Sequence, residues 1–311
     1  IQKYATIMLT WGKYLLLLLF PHPLTHDYYP KQIPIIGFYN IRAILPLLIY
    51  VFFIVYMIWK FMKKDVIAFA IMFFGLTFSV TSNLFFNIGA FMNERFMFAP
   101  SLGFCMVLAY LFTFKFKKWF GEIQSKKITL ILLAIIITGY SLKTIARNPV
   151  WMNDYTLFTT DVKTSTNSAK CTVSAGGQTL ELAEKETDQV KKKKMINEAL
   201  AFLNRGITIH PKYGAGWLLI GKAYIDLEDY KTAREYYEVA LKVSPGNNTA
   251  LTNWLYCAQT SNKNKDYKEA LESYRKLITY QPANNDLYVQ LASVYENTNQ
   301  IDSAISVVSR M

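Results

Sequence analysis

Two hydrophobic rhythms divide the chain. Up to Tyr140 the apolar residues run in long blocks separated by short polar clusters. From Ala169 onward they recur every three or four positions between polar residues, the period of amphipathic helices. Four of the early blocks, 41–59, 66–88, 102–114 and 128–140, read as firm membrane spans. The first block, 5–20, falls short of the ~20 residues a span requires and carries Lys13. It predicts either a tilted span or a helix lying in the interface with Lys13 snorkelling. After it comes Pro21-His22-Pro23-Leu24-Thr25-His26-Asp27-Tyr28-Tyr29-Pro30, too rich in proline and polar side chains to face lipid.

Charge sharpens this division. Residues 1–146 carry 14 Lys plus Arg against 4 Asp plus Glu, and the remainder carries 20 against 18, so the excess of +12 belongs almost wholly to the apolar half. There the lysines sit in short clusters beside apolar blocks, which is membrane-flanking charge and not a nucleic-acid footprint. Lys60, Lys63 and Lys64 close one block, and Lys115, Lys117 and Lys118 with Lys126 and Lys127 fill the connection between the last two. The positive-inside rule assigns these connections to the cytoplasm and puts the Pro21–Asn40 segment, the Glu94-Arg95 loop and everything after Arg147 on the opposite side.

The 93–103 loop, Asn-Glu-Arg-Phe-Met-Phe-Ala-Pro-Ser-Leu-Gly, holds Glu94 and Arg95 at the edge of the apolar half. Ionisable groups at a membrane edge cost solvation free energy, which marks them as functional candidates; a pair that merely turns the chain is the plainer reading. Asn83 and Asn87, near the end of the 66–88 block, read as helix–helix hydrogen-bonding residues. Cys105, Cys171 and Cys257 have no metal-ligand spacing, so neither a disulfide framework nor a metal site is predicted.

The second half reads as a helical repeat array. With Trp217 as the fourth position of a helix–turn–helix unit, Gly221, Tyr224, Ala233, Tyr237, Ala240 and Pro245 occupy the small, aromatic and breaker positions of a tetratricopeptide repeat. A second unit has Trp254, Ala270, Tyr274 and Pro282; its proline lies 37 residues after Pro245, which predicts an insertion near Asn262-Lys263-Asn264. A third has Tyr288, Leu291, Ala292, Tyr295 and Ala304 and reaches Met311 before its closing proline, so the array reads as truncated. Gly177, Ala199, Leu203 and Pro211 predict a degenerate first unit interrupted by the charged 181–194 stretch, whose Lys191–Lys194 run reads as a solvated helix face. Stacked units of this kind form a groove for extended peptide and have no chemistry of their own. Trp217, Tyr224, Trp254 and Tyr288 are the candidate groove residues. Asn247-Asn248-Thr249 matches a glycosylation acceptor.

Three blocks resemble the transmembrane and tetratricopeptide-repeat-containing O-mannosyltransferases, glycosyltransferases of the GT-C class. They are residues 19–28 with Asp27-Tyr28, residues 82–85 with 93–104 (Glu94-Arg95, aromatic, Pro100-Ser101-x-Gly103-Phe104), and Arg147-Asn148, Trp151 and Leu157-Phe158. The resemblance implies an all-α chain: residues 1–146 as the C-terminal part of a GT-C-like transmembrane domain, a connector at 147–168, and tetratricopeptide repeats at 169–311. It implies a polyprenyl-phosphate sugar donor, with the sugar passed to Ser or Thr of a secreted polypeptide that the repeats present, and no cofactor beyond that donor. Glu94 and Asp27 are then the candidate catalytic carboxylates, and Arg95 with Tyr28 the candidate lipid-phosphate contacts. Enzymes of that class carry their principal catalytic carboxylates on a first luminal loop that these 311 residues do not contain. This chain alone is therefore expected to transfer no sugar. The competing reading is a non-catalytic membrane-anchored scaffold for envelope or secretion assembly. Either way membrane lipid and a polypeptide are the expected partners. A Lys-, Ile- and Asn-rich composition inclines the location toward a bacterial inner membrane over the endoplasmic reticulum.

Overall fold

Helices α1 (Gln2–Leu19), α2 (Ile41–Phe61), α3 (Val66–Ser79) and α4 (Pro100–Tyr110) build the first part of the molecule, and the computed structural model describes all 311 residues. A π-helical turn, Leu111–Lys115, carries α4 into α5 (Phe116–Phe120), and α6 (Glu122–Arg147) and α7 (Asp154–Asp161) follow. Every regular element is helical. The chain divides into two compact units, Ile1–Cys171 and Thr172–Met311.

In the first unit, α1 is buried along Ala5–Thr10 and at Tyr14. Its polar atoms are spent on neighbouring backbone. Thr6 Oγ1 accepts the Ile36 N–H at 3.1 Å, the Trp11 indole N–H donates to Ser82 O at 3.1 Å, and the Tyr14 hydroxyl accepts the Asn93 N–H at 2.9 Å. Rings of Trp11, Tyr14, Tyr50, Phe74 and Phe78 pack around it at centroid separations of 4.7–6.3 Å. Glycines set the closest helix approaches: a Cβ on Gly12 would collide with Pro46, and one on Gly103 would come within 2.7 Å of Ala70 O.

Two segments, Ile41–Phe61 and Glu122–Trp151, are long and apolar enough to cross a membrane. The second buries almost nothing within the chain: Leu130, Ile131, Ile135, Ile137, Leu142 and Ile145 are all exposed. A helix that presents apolar side chains around its surface is stable in hydrocarbon or against a partner, not in water. The block expected to span from 66 to 88 is a helix only to Ser79, 14 residues. Ser79 and Ser82 hydroxyls turn back onto carbonyls three residues earlier, and Asn83 adopts φ +58°, ending the helix. Asn83 therefore does not bridge helices. Its side-chain amide donates to Ala90 O and its carbonyl accepts the Ile88 N–H, closing a local loop, and Asn87 accepts the Gly89 N–H.

The second unit continues α8 (Ala169–Lys185), whose first turn belongs to the first unit, into α9 (Gln189–Ile209), α10 (Gly214–Asp226), α11 (Tyr230–Val243), α12 (Asn248–Lys263), α13 (Tyr267–Tyr280), α14 (Asn285–Asn297) and α15 (Ile301–Val308). They form four successive helix pairs. The charged stretch expected to interrupt the first pair only ends one helix and starts the next, with Asp188 capping α9. Within that pair Gly176, not Gly177, makes the close approach, to Leu203; Gly177 faces Leu219 of α10. Asn247 caps α12 through its side-chain oxygen. α12 has 16 residues against 13 in α10 and α14, so the inserted residues lengthen this helix.

Trp254 is corrected by the structure. It lies nine residues after Pro245, as Ile220 lies nine after Pro211 and Leu291 nine after Pro282, and all three are buried. The counterpart of Trp217 and Tyr288 in that unit is Leu251. Trp254 thus fills the core and is absent from any groove surface. Between units of the array, buried Arg234 pairs with Glu269, which also accepts from Ser273.

The pairing of Gly221 with the Tyr237 ring is testable, because a Cβ there would lie 2.7 Å from the ring while one on Gly214 would meet nothing closer than 3.5 Å. Gly221→Ala is expected to destabilise the array by about 1–3 kcal/mol. Gly214→Ala is expected to be neutral or to stabilise by up to about 1 kcal/mol. Urea unfolding followed by tryptophan fluorescence checks both.

Candidate functional site

The site grows from the Pro21–Pro30 segment, which makes no regular helix and so leaves its backbone N–H groups to side chains. Asn93 caps a 3-10 turn, Glu94–Met97, by accepting the Arg95 N–H, and this places Glu94 at the start of the turn. Glu94 Oε1 accepts the Thr25 N–H at 2.6 Å and the Tyr28 hydroxyl at 2.9 Å, while Asn93 Nδ2 donates to His26 O. Two sequence-distant loops are thereby locked through one carboxylate.

Residues 147–171 complete the junction from the other side. Asp161, fully buried, accepts both Arg147 guanidinium N–H groups at 2.6 and 2.7 Å and the His26 N–H at 2.7 Å, with His26 Nδ1 at 3.1 Å. The His26 ring lies 4.8 Å from that of Phe158. Thr25 and Ser165 hydroxyls meet at 2.7 Å, and Ser165 donates to Asp27 O, so the proton between the hydroxyls comes from Thr25. Asp27 accepts the Tyr29 N–H at 2.6 Å and pairs with Lys170 at 3.2 Å. Gln32 adds bonds to Thr164 O and from the Asn167 N–H.

Electrostatics distinguishes the two buried acids. Burial alone raises a carboxylate pKa, but at Asp161 the hydrogen bonds from His26 and Arg147 outweigh it and hold the group down to about 2. At Glu94 burial prevails over the bonds from Thr25 and Tyr28, and its pKa is raised. Burial also raises the Tyr28 hydroxyl, followed by the neighbouring Glu94 charge.

The candidate residues are thus brought together unevenly. Glu94, Asp27 and Tyr28 share one junction. Arg95, next in sequence to Glu94, is not its partner: Arg95 is exposed and lies over the Phe96 ring at 5.8 Å. The Tyr28 hydroxyl is occupied by Glu94 and is not presented to a phosphate, because the aromatic ring is buried. Asp161 and Ser165 are not singled out by the sequence, and His26 stands there only as one member of the proline-rich segment. The only signal of Asp161 and Ser165 is that they follow the block with Trp151 and Leu157-Phe158, and nothing in the spacing announces a bond from His26 across 135 residues. In the repeats, Trp217 stacks on Tyr236 and donates to Pro211 O, Tyr224 stacks on the same Tyr236, and Tyr288 donates to Pro282 O.

These features define an all-α protein with apolar helices of membrane-crossing length and a tetratricopeptide array. Tetratricopeptide repeat models match residues 215–247 and 262–311. Part of the chain is similar to protein O-mannosyl-transferases: it is 30% identical to human protein O-mannosyl-transferase TMTC3 over 171 residues, 55% of this chain and 17% of that protein. Drosophila melanogaster Tmtc3 is 28% identical over 170 residues, 55% of this chain and 17% of the relative. Caenorhabditis elegans F38B6.6, also named a protein O-mannosyl-transferase, is 31% identical over 163 residues, 51% and 22%. The matches thus span about a fifth of these relatives or less.

The two acids make opposite predictions for pH. Asp161 has a folded-state pKa below its ordinary value of 3.8, so its contribution is complete above that pH and is lost as pH falls through about 2. Asp161→Asn is expected to cost about 2–3 kcal/mol at neutral pH and to flatten the stability profile below pH 4. Glu94, with a raised pKa, favours the folded state at acid pH and loses that contribution as pH rises through its folded pKa. Glu94→Gln keeps an oxygen for Thr25 and Tyr28 and is expected to leave neutral-pH stability unchanged or raise it by up to about 1 kcal/mol. Thermal unfolding across pH 2–8 reads both signs.

Proposed function

We propose that this chain belongs to the working part of a membrane protein O-glycosyltransferase that moves a sugar, mannose by the names of its relatives, from a polyprenyl-phosphate donor to Ser or Thr of a polypeptide held by the repeats. The homology to protein O-mannosyl-transferases carries this reading. The repeat array supports it, since stacked helix pairs bind extended segments. Both the loop junction and the repeats then lie on the non-cytoplasmic side, opposite the lysine-rich connections.

In this reading Glu94, Asp27 and Asp161 are positioning residues. Each carboxylate is engaged by at least two internal donors, so they shape the membrane-edge loops between which a lipid-linked sugar meets its acceptor. Arg95, exposed and lying over the Phe96 ring, is the one cation of the 93–103 loop. The chemistry asks for a base at the acceptor hydroxyl and cationic groups on the leaving phosphate.

Joined to a first luminal loop of the kind such enzymes carry, the protein in membrane vesicles is expected to transfer labelled mannose from polyprenyl-phosphate mannose to a Ser/Thr peptide, whereas these 311 residues alone are expected to transfer none. Asp161→Ala is expected to lower transfer about tenfold or more by misplacing the loops. Failure of the loop-bearing protein to transfer from any polyprenyl-phosphate sugar, with peptide binding by the repeats retained, would favour the non-catalytic scaffold instead.

A further inference from the structure

The triplet Asn247-Asn248-Thr249 takes no part in the loop junction. It is the only place in the chain where an asparagine is followed two residues later by serine or threonine with a residue other than proline between them, the pattern of an N-glycosylation acceptor. Such triplets arise by chance, so what the fold does with each atom of this one decides whether it can be used.

The triplet lies in the turn between α11 and α12. Gly246, at φ +78°, reverses the chain after Pro245, and Asn247 follows in an extended conformation as the N-cap of α12. All but one of its polar groups are engaged. Its N–H donates to Ser244 O at 3.3 Å, its carbonyl accepts the Leu251 N–H at 3.2 Å, and its Oδ1 accepts the Ala250 N–H at 3.1 Å. The side-chain amine Nδ2 has no partner in the chain and is open to solvent. Asn248 and Thr249 are exposed, as are Pro245 and Gly246 before them.

This arrangement separates the cap from the chemistry of glycosylation. The cap needs only the oxygen of the carboxamide, and N-glycosylation replaces a hydrogen on its nitrogen. An asparagine whose amine is already spent would lose that bond, as Asn83, which donates to Ala90 O, would. Asn247 loses nothing. A bulky, hydrated sugar at an exposed turn also buries no polar surface.

We propose that Asn247 carries an N-linked oligosaccharide. Its Nδ2 forms a bond to C1 of the first sugar of a lipid-diphosphate oligosaccharide, the C1–O bond breaks, the lipid diphosphate leaves with the electron pair, and one Nδ2 proton passes to a base of the transferring enzyme. The proposal rests on the placing of the repeats on the non-cytoplasmic side in the function proposed above. It makes that side the lumen of the endoplasmic reticulum, where such an oligosaccharide is supplied, and not a bacterial periplasm.

The experiment expresses the whole chain in cultured insect cells and follows its gel mobility before and after peptide N-glycosidase. That enzyme converts a glycosylated asparagine to aspartate, so mass spectrometry after digestion in heavy-oxygen water identifies the residue. One glycan, at position 247, is expected. Thr249→Ser and Asn248→Gln are expected to keep it. Asn247→Asp, which retains a capping oxygen, and Thr249→Ala, which retains Asn247 itself, are expected to lose it completely with an unaltered melting temperature. In the Asn247→Asp background, Asp266→Thr completes a second acceptor triplet from exposed Asn264 and is expected to restore the mobility shift.

The two readings fail separately. An unmodified Asn247, in repeats that are spared by protease added outside sealed microsomes or that become glycosylated at Asn264, overturns the glycan and leaves the placing of the repeats intact. Digestion of the repeats by that protease overturns the placing and the glycan together. A glycan retained by normally melting Thr249→Ala would likewise overturn the assignment to this triplet.

Discussion

The buried Asp161 carboxylate is the constraint on which the membrane-edge architecture rests. Its desolvation is offset only if its oxygens are fully engaged, and here two guanidinium N–H groups and the His26 backbone and ring converge on them. That requirement fixes three places in the sequence at once: the end of the α6 helix at Arg147, the Pro-rich segment at His26, and the end of α7. Removing any one partner leaves a buried charge without compensation, so the arrangement specifies one geometry more strongly than it adds net stability. Glu94 repeats the principle with weaker means. It uses a neutral hydroxyl and one N–H, its pKa is raised by burial, and its contribution is to hold Thr25 and Tyr28 beside the 93–103 turn.

Around this polar junction the first unit is built from aromatic packing and close glycine contacts, with its apolar surface left outward. The 14-residue α3 and the loop closed by Asn83 make room for the 93–103 turn beside α1. The position of α1 follows from its partners: Thr6, Trp11 and Tyr14 bind backbone at Ile36, Ser82 and Asn93, all in loops that precede or follow the long apolar helices. The repeat unit obeys simpler rules, in which a small residue of one helix meets a large side chain of the next, as Gly176 meets Leu203 and Gly221 meets Tyr237.

Much of this was legible in the sequence because it depends on local periodicity. The repeats announced themselves through Gly221, Ala233, Tyr237 and Pro245, whose roles follow from spacing alone. Trp254 was misplaced because aromatic character was matched where distance from the preceding proline decides the position. The long apolar blocks were visible, but the end of α3 at Ser79 was not, since apolar content continues past the point where serine hydroxyls and a left-handed Asn83 break the helix. The 93–103 loop stood out by its charges, yet adjacency misled: Glu94 and Arg95 point to different surroundings. Asp161 was invisible because its partners are 14 and 135 residues away, and no periodicity links them.

Hydrogen–deuterium exchange of the protein in nanodiscs, compared with its Arg147→Met variant, tests the central claim most directly. If Asp161 ties the membrane-edge segments together, backbone amides at Thr25, His26 and Tyr29 and those of residues 161–165 lose protection together while the 41–61 helix keeps its own. Undiminished protection of the Thr25–Tyr29 amides in the variant would show that the buried carboxylate does not organise this edge of the molecule.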